Sequence, residues 1–103
     1  MKITDVKTQD IRFPTSKDNL GTDAVHVGCD YSATYVTVFT DQEDLNGIGL
    51  TFTIGKGNDL CCTVIEYFKE FIIGKDIQEI EKNIASIWEK ITNHSQLRWV
   101  GPQ

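Results

Sequence analysis

Apolar positions change their spacing along the chain, and each change marks a different kind of element. Ile3, Val6, Ile11 and Phe13 sit among charged and threonine residues in an imperfect alternation, which predicts an extended segment ended by Pro14. Thr15 to Ser32 (TSKDNLGTDAVHVGCDYS) has no apolar period and is too polar for a core element, so residues 15–32 are expected to form a long loop. Loops beyond ~12–15 residues in compact domains are usually functional or disordered. Ala33–Thr40 (ATYVTVFT) is rich in β-branched and aromatic residues, and Ile48, Leu50, Phe52 and Ile54 alternate with Gly49, Thr51 and Thr53. Both read as strands of one antiparallel hairpin over about 33–55, with Asn46-Gly47 supplying the positive φ that a hairpin turn requires.

After Gly55 and Gly57 the period lengthens. Leu60, Val64, Phe68 and Phe71/Ile72 recur three or four residues apart, predicting an amphipathic helix over about 58–73 with Asn58 or Asp59 as N-cap and Gly74 as its stop. Asp76 with Glu79 forms a variant capping box for a second helix over about 77–92, whose one face carries Ile77, Ile80, Ile84, Ile87 and Ile91 with Trp88 beside them. The tail NHSQLRWVGPQ ends at Gly101-Pro102-Gln103 without a closing element. Strand, long loop, hairpin and two helices make an α+β domain, a small antiparallel sheet with helices on one face.

Size and charge narrow the functions open to such a fold. A chain of 103 residues is expected to form a single domain over 1–103. Ten Lys+Arg against fifteen Asp+Glu give a net charge of −5, which disfavours phosphate backbones and anionic lipid, so neither nucleic acid nor membrane is expected as a partner. No apolar stretch approaches the ~20 residues needed to span a bilayer, and MKITDVKTQD is not a recognisable presequence. Three cysteines, two of them adjacent at Cys61 and Cys62, do not suggest a disulfide framework and fit a reducing compartment.

Candidate chemistry is sparse. Cys29, Cys61, Cys62, His26 and His94 lack the paired spacing of a zinc site, and the two thiols on the first helix read as small packing side chains. Gly47-Ile-Gly49 opens a strand, and Gly55-Lys-Gly57 lacks the remaining phosphate-loop residues, so both serve more simply as backbone devices. His26 and Cys29 have no orienting third group. Asp23, His26, Asp30 and Tyr31 form the best polar cluster, since carboxylate, imidazole and phenol together suit a hydroxylated small ligand; the alternative is a solvated loop with Asx turns. Arg98-Trp99 joins a cation to a large ring, a pair suited to anchoring on another surface.

Five stretches carry a more specific signal: Asp10-Ile-Arg-Phe-Pro-Thr-Ser16, Gly21-Thr-Asp-Ala24 with His26, Asp30-Tyr-Ser32, Gly49-Leu-Thr-Phe-Thr-Ile-Gly55 with Gly57, and Gln96-Leu-Arg-Trp-Val-Gly-Pro102. In order and over essentially the whole chain they resemble the N-terminal domain of the L-fuconate dehydratases, of the mandelate racemase/muconate lactonizing type within the enolase superfamily. That resemblance implies a capping domain, a three-stranded antiparallel meander followed by helices, over the mouth of a (β/α) barrel that this chain lacks. It implies dehydration of L-fuconate to 2-keto-3-deoxy-L-fuconate, with the catalytic groups and the Mg2+ ligands on the barrel and none on these residues. It implies a substrate-specificity loop, onto which Gly21, Thr22, Asp23 and Tyr31 carry over as substrate-binding positions. Gly28-Cys29 stand before Asp30-Tyr31-Ser32 where the family has Asp-Pro, so the proline that would stiffen the loop is missing. The expected partners are a sugar acid and a barrel, the chain's own or a partner's, and the expected compartment is intracellular, mitochondrial or cytosolic. The alternative is a short non-enzymatic form acting as an interaction module on a barrel-containing partner.

Overall fold

The computed structural model describes residues 1–13, 31–95 and 97–99. Three strands, β1 (Ile3–Arg12), β2 (Ser32–Thr40) and β3 (Asn46–Thr53), form an antiparallel meander in the order β1-β2-β3. Helix α1 (Asn58–Phe68) leads into a 3-10 turn at Lys69–Phe71, and α2 (Ile77–Lys82), α3 (Ile84–Asn93) and a second 3-10 turn at Leu97–Trp99 follow. The α+β expectation and the meander are thus observed.

Register explains the imperfect alternation of the first strand. Ile3 pairs with Thr40 and Asp5 with Phe39, so one extra residue bulges out between Ile3 and Asp5. An inserted residue reverses the side to which the preceding side chains point. Ile3 and Val6, three apart in sequence, therefore share one side of the sheet, and both are buried. Asp5 Oδ1 accepts the Val6 amide at the same bulge, at 2.8 Å.

Pairing along both ladders sorts the side chains into two faces. Val6, Thr8, Asp10 and Arg12 stand with Val38, Val36, Thr34 and Ser32 on one face, and α1 packs there. Lys7, Gln9 and Ile11 stand with Thr37, Tyr35 and Ala33, and these with Ile48, Leu50 and Phe52, on the other. On that second face Ile48, Leu50 and Phe52 are 75%, 62% and 60% exposed. The apolar repeat of β3 thus marks an uncovered surface rather than a core.

Three local expectations are corrected. Asn46 and Gly47 are not the hairpin turn: they pair with Phe39 and Val38 as the first residues of β3, and the reversal lies in residues 41–45, where Thr40 Oγ1 donates to the carbonyl of Leu45 at 2.6 Å. Asn58 and Asp59 do not cap α1; Gly57, at φ 89°, occupies that position, a conformation in which a Cβ is strained, and its carbonyl accepts the first helical bond from the Cys61 amide at 3.0 Å. The predicted helix over 77–92 is interrupted at Asn83, whose φ of −117° and ψ of 23° leave the helical region. There the side-chain amide of Asn83 donates to the carbonyl of Glu79 at 2.9 Å and closes α2. Asp76 does cap α2, accepting the Gln78 amide at 2.9 Å.

The segment joining α1 to α2 completes the sheet edge beside the start of β1. Gly74, at φ 81°, turns the chain so that its amide meets the carbonyl of Ile3 at 2.8 Å, and the Ile3 amide returns to the carbonyl of Lys75 at 3.0 Å. The Met1 ammonium closes the same corner on Asp76 at 2.9 Å. The buried apolar residues among those described are only Ile3, Val6, Ala33, Ile87 and Leu97. Leu60 of α1 and Ile84 of α3, expected on buried helix faces, are exposed; for Ile84 the reason is that α3 packs chiefly on the Leu97–Trp99 turn.

Candidate functional site

The expected substrate-contacting positions Gly21, Thr22 and Asp23, together with His26, Cys29 and Asp30, lie outside the described residues. Tyr31 lies inside them, immediately before β2. Its carbonyl accepts the Phe13 amide at 2.8 Å, extending the β1–β2 ladder by one pair. Its ring meets Phe52 of β3 edge to face, with centroids 5.5 Å apart and planes at 69°. That geometry suits the aromatic quadrupole and orients the phenol from the neighbouring strand.

Below Tyr31, on the face that receives α1, lies a polar network that no motif in the sequence marks. Asn58, the first residue of α1, is completely buried. Its side-chain amide donates to Asp10 of β1 and to the carbonyl of Ala33 in β2. Its Oδ1 accepts from Thr34 at 2.9 Å and from Thr53 at 3.0 Å. Thr34 Oγ1 also lies 3.0 Å from the Asn58 carbonyl and accepts the Cys62 thiol at 3.8 Å. All four hydrogen-bonding positions of one asparagine side chain are thus used, and they tie α1 to all three strands.

Asp10 carries the network outward. Its Oδ1 and Oδ2 accept from Arg12 Nε and Nη2, each at 3.1 Å. The Arg12 guanidinium and the Asn58 amide together hold the Asp10 carboxyl below its ordinary value of 3.8. The signal available in sequence was a run of polar residues, Asp10, Thr34 and Thr53, at positions the pleat places on the helix-covered side.

The remaining candidates serve structure or stand elsewhere. His94 Nδ1 accepts the Leu97 amide at 3.2 Å and shapes the second 3-10 turn. Cys61 and Cys62 are free thiols, half-buried on α1. The Arg98 guanidinium lies 5.4 Å from the ring centre of Trp99, which is exposed. A surface depression of about 390 Å³ sits at the far end of the sheet, lined by Asp5, Lys7, Phe39, Thr40 and Glu43 among others, away from Tyr31. Among the described residues no three His, Cys, Asp or Glu side chains come together as metal ligands, so these residues do not fit Mg2+. Among them, too, no helix is long and apolar enough to cross a membrane.

Comparison with known proteins places this arrangement. No protein-family model matches the chain. Mitochondrial enolase superfamily member 1 of Xenopus laevis is 44% identical over 103 residues, covering 99% of this chain and 23% of the relative. L-galactonate dehydratase of Hypocrea jecorina is 42% identical over 101 residues, covering 98% of this chain and 22% of the relative. The crystal structure of human mitochondrial enolase superfamily member 1 superposes with a TM-score of 0.87 at 38% identity, over 98% of this chain and 23% of that one. A racemase from Streptomyces coelicolor, solved with bound magnesium, shares the fold with a TM-score of 0.67 at 22% identity. The chain spans less than a quarter of the length of the curated relatives it matches.

Proposed function

We propose that the chain, which shares the fold of the N-terminal part of human mitochondrial enolase superfamily member 1, is the substrate-covering capping domain of a sugar-acid dehydratase whose reacting groups stand on a separate (β/α) barrel. The observation that carries this reading is similarity along the whole chain to relatives about four times as long, among them an L-galactonate dehydratase. The described residues fit the division of labour. They present a phenol held by backbone and ring contacts.

The substrate in this reading is L-fuconate. Loss of the hydrogen α to the carboxylate and of the 3-hydroxyl gives 2-keto-3-deoxy-L-fuconate and one water. Mg2+ belongs to the barrel, and no step of this chain's own chemistry passes through it. The tasks of the capping residues are binding and exclusion of water. Tyr31 donates or accepts one hydrogen bond to a substrate hydroxyl and covers the sugar acid with its ring. Asp23 accepts from hydroxyls, Gly21 lets the backbone approach closely, and Thr22 stands between them as a further substrate-binding position. Cover of this kind removes water from the reacting centre. The compartment in this reading is intracellular, mitochondrial or cytosolic.

The test joins residues 1–103 to a barrel and follows 2-keto-3-deoxy acid formation from L-fuconate, L-galactonate and their epimers. Turnover of at least one of them is expected, with none from the 103-residue chain alone. Tyr31→Phe in the joined enzyme is expected to raise KM up to about tenfold, the worth of one hydrogen bond. Turnover by the chain alone, or silence of the joined enzyme on every sugar acid, overturns the reading. The exposed Ile48, Leu50, Phe52, Trp88 and Trp99 favour a second reading, a non-enzymatic module seated on a barrel-containing partner. Co-purification with such a partner, without any gain of turnover, would select it.

A further inference from the structure

Asn58 makes more bonds than capping a helix requires. In α1 the N-cap position is held by Gly57 without any side-chain bond, so the amide of Asn58 is left for the sheet. It takes hold of Asp10 two residues before Arg12, the last residue of β1, and of the carbonyl of Ala33 two residues after Tyr31. Phe13, next to Arg12, holds the Tyr31 carbonyl at 2.8 Å. Arg12 grips Asp10 through two nitrogens, each at 3.1 Å, and pairs with Ser32 across the ladder. Thr53, the neighbour of Phe52, donates to the same Asn58 side chain at 3.0 Å, so the strand that carries Tyr31's ring partner is fixed by the same group.

We propose that Asn58 and Asp10 are positioning residues for Tyr31, a buried amide–carboxylate pin that fixes together the end of β1, the start of β2 and the end of β3 between which Tyr31 is held. The pin acts on backbone placement: Asp10 fixes Arg12 and Phe13, Asn58 fixes Ala33 and Thr53, and Tyr31 is set by Phe13 on one side and Phe52 on the other. This role rests on the reading of Tyr31 as a substrate contact. The pin itself is testable without substrate.

The experiment measures amide exchange and ring-to-ring nuclear Overhauser effects in the isotopically labelled 103-residue chain. Asp10→Asn weakens the acceptor and removes the Arg12 ion pair. It is expected to lower protection of the Phe13 amide about tenfold and to weaken the Tyr31–Phe52 contact, while amides in the Val36–Val38 stretch keep their protection. Asn58→Asp sets two carboxylates face to face and is expected to do more. The reciprocal double variant, Asn58→Asp with Asp10→Asn, restores a donor–acceptor pair and is expected to recover part of the Phe13 protection. A generally weakened fold would lower protection everywhere and would not be rescued by the exchange of partners. If Asp10→Asn fails to fold, Arg12→Gln, at a half-exposed side chain, removes the ion pair to Asp10 while leaving the Asn58–Asp10 bond, and decides the matter by the same readout. Unchanged Phe13 protection and an unchanged Tyr31–Phe52 contact in the folded variant overturn the proposal. In the barrel-joined enzyme Asp10→Asn is expected to raise KM about tenfold with kcat within about twofold. Absence of any wild-type turnover there would count against the dehydratase reading alone, leaving exchange to judge the pin.

Discussion

Asp10 is where charge, burial and strand end meet, and its behaviour with pH follows from its partners. Bonds from Arg12 and then from Asn58 hold its folded pKa below the ordinary 3.8. A depressed carboxylate stabilises the fold fully above the unfolded pKa and loses that contribution as pH falls through the folded one. Asp76 follows the same sign, its carboxyl lowered first by the Met1 ammonium and then by the Gln78 amide. The Met1 ammonium, raised above 8.0 mainly by its bond to Asp76, contributes below 8.0 and is lost as pH rises through its folded value. Thermal melts between about pH 5 and pH 2 should therefore show a falling midpoint that is flatter in Asp10→Asn. Thr34 gives a test free of charge effects. Its buried hydroxyl donates to Asn58, so Thr34→Val leaves that acceptor short of a donor and is expected to cost about 1–3 kcal/mol in denaturant melts.

Secondary-structure elements here are set by their ends more than by their interiors. Gly57 at φ 89° starts α1, and an added Cβ would meet no neighbour within 4 Å, so Gly57→Ala isolates the conformational penalty. It is expected to destabilise by roughly 1–2 kcal/mol, the cost of the left-handed region for an L-residue. Asp76→Ala removes the α2 cap and should cost about 1 kcal/mol, read as faster amide exchange at Gln78. The periods in sequence found β2, β3 and α1 because sheet and helix each repeat one geometry. The break at Asn83 stayed hidden because the isoleucine period runs straight through it, while a side-chain bond to Glu79 ends the helix locally. The bulge in β1 was hidden for a similar reason: a spacing of three between Ile3 and Val6 is noise to a period of two until the partner strand shows which residue is extra.

Taken as a whole, the described residues bury little apolar surface, with one sheet face and much of α3 left uncovered. Water-exposed area of this kind, at about 25 cal/mol per Å², drives association with any complementary apolar surface. The 103-residue chain is expected to bind a hydrophobic dye strongly and to self-associate as concentration rises. Replacing Ile48 and Leu50 with lysine should reduce both effects in dye titration and sedimentation while lowering stability by no more than about 1 kcal/mol, since neither side chain is buried.

The α+β class, the strand–hairpin–helix order and, through its motifs, the capping-domain resemblance were legible along the chain, because backbone periodicity and turn chemistry are local properties. The sequence also marked Tyr31 as a candidate. That Asn46-Gly47 begins a strand, that the β3 repeat faces outward, and that Asn58 binds Asp10, Thr34 and Thr53 emerged from the folded chain alone. The first rests on the register between strands, the second on which sheet face α1 covers, and the third on three strands converging at one helix start. Each is a relation between residues far apart in the chain, and a pattern read along one dimension carries no information about which distant groups will meet.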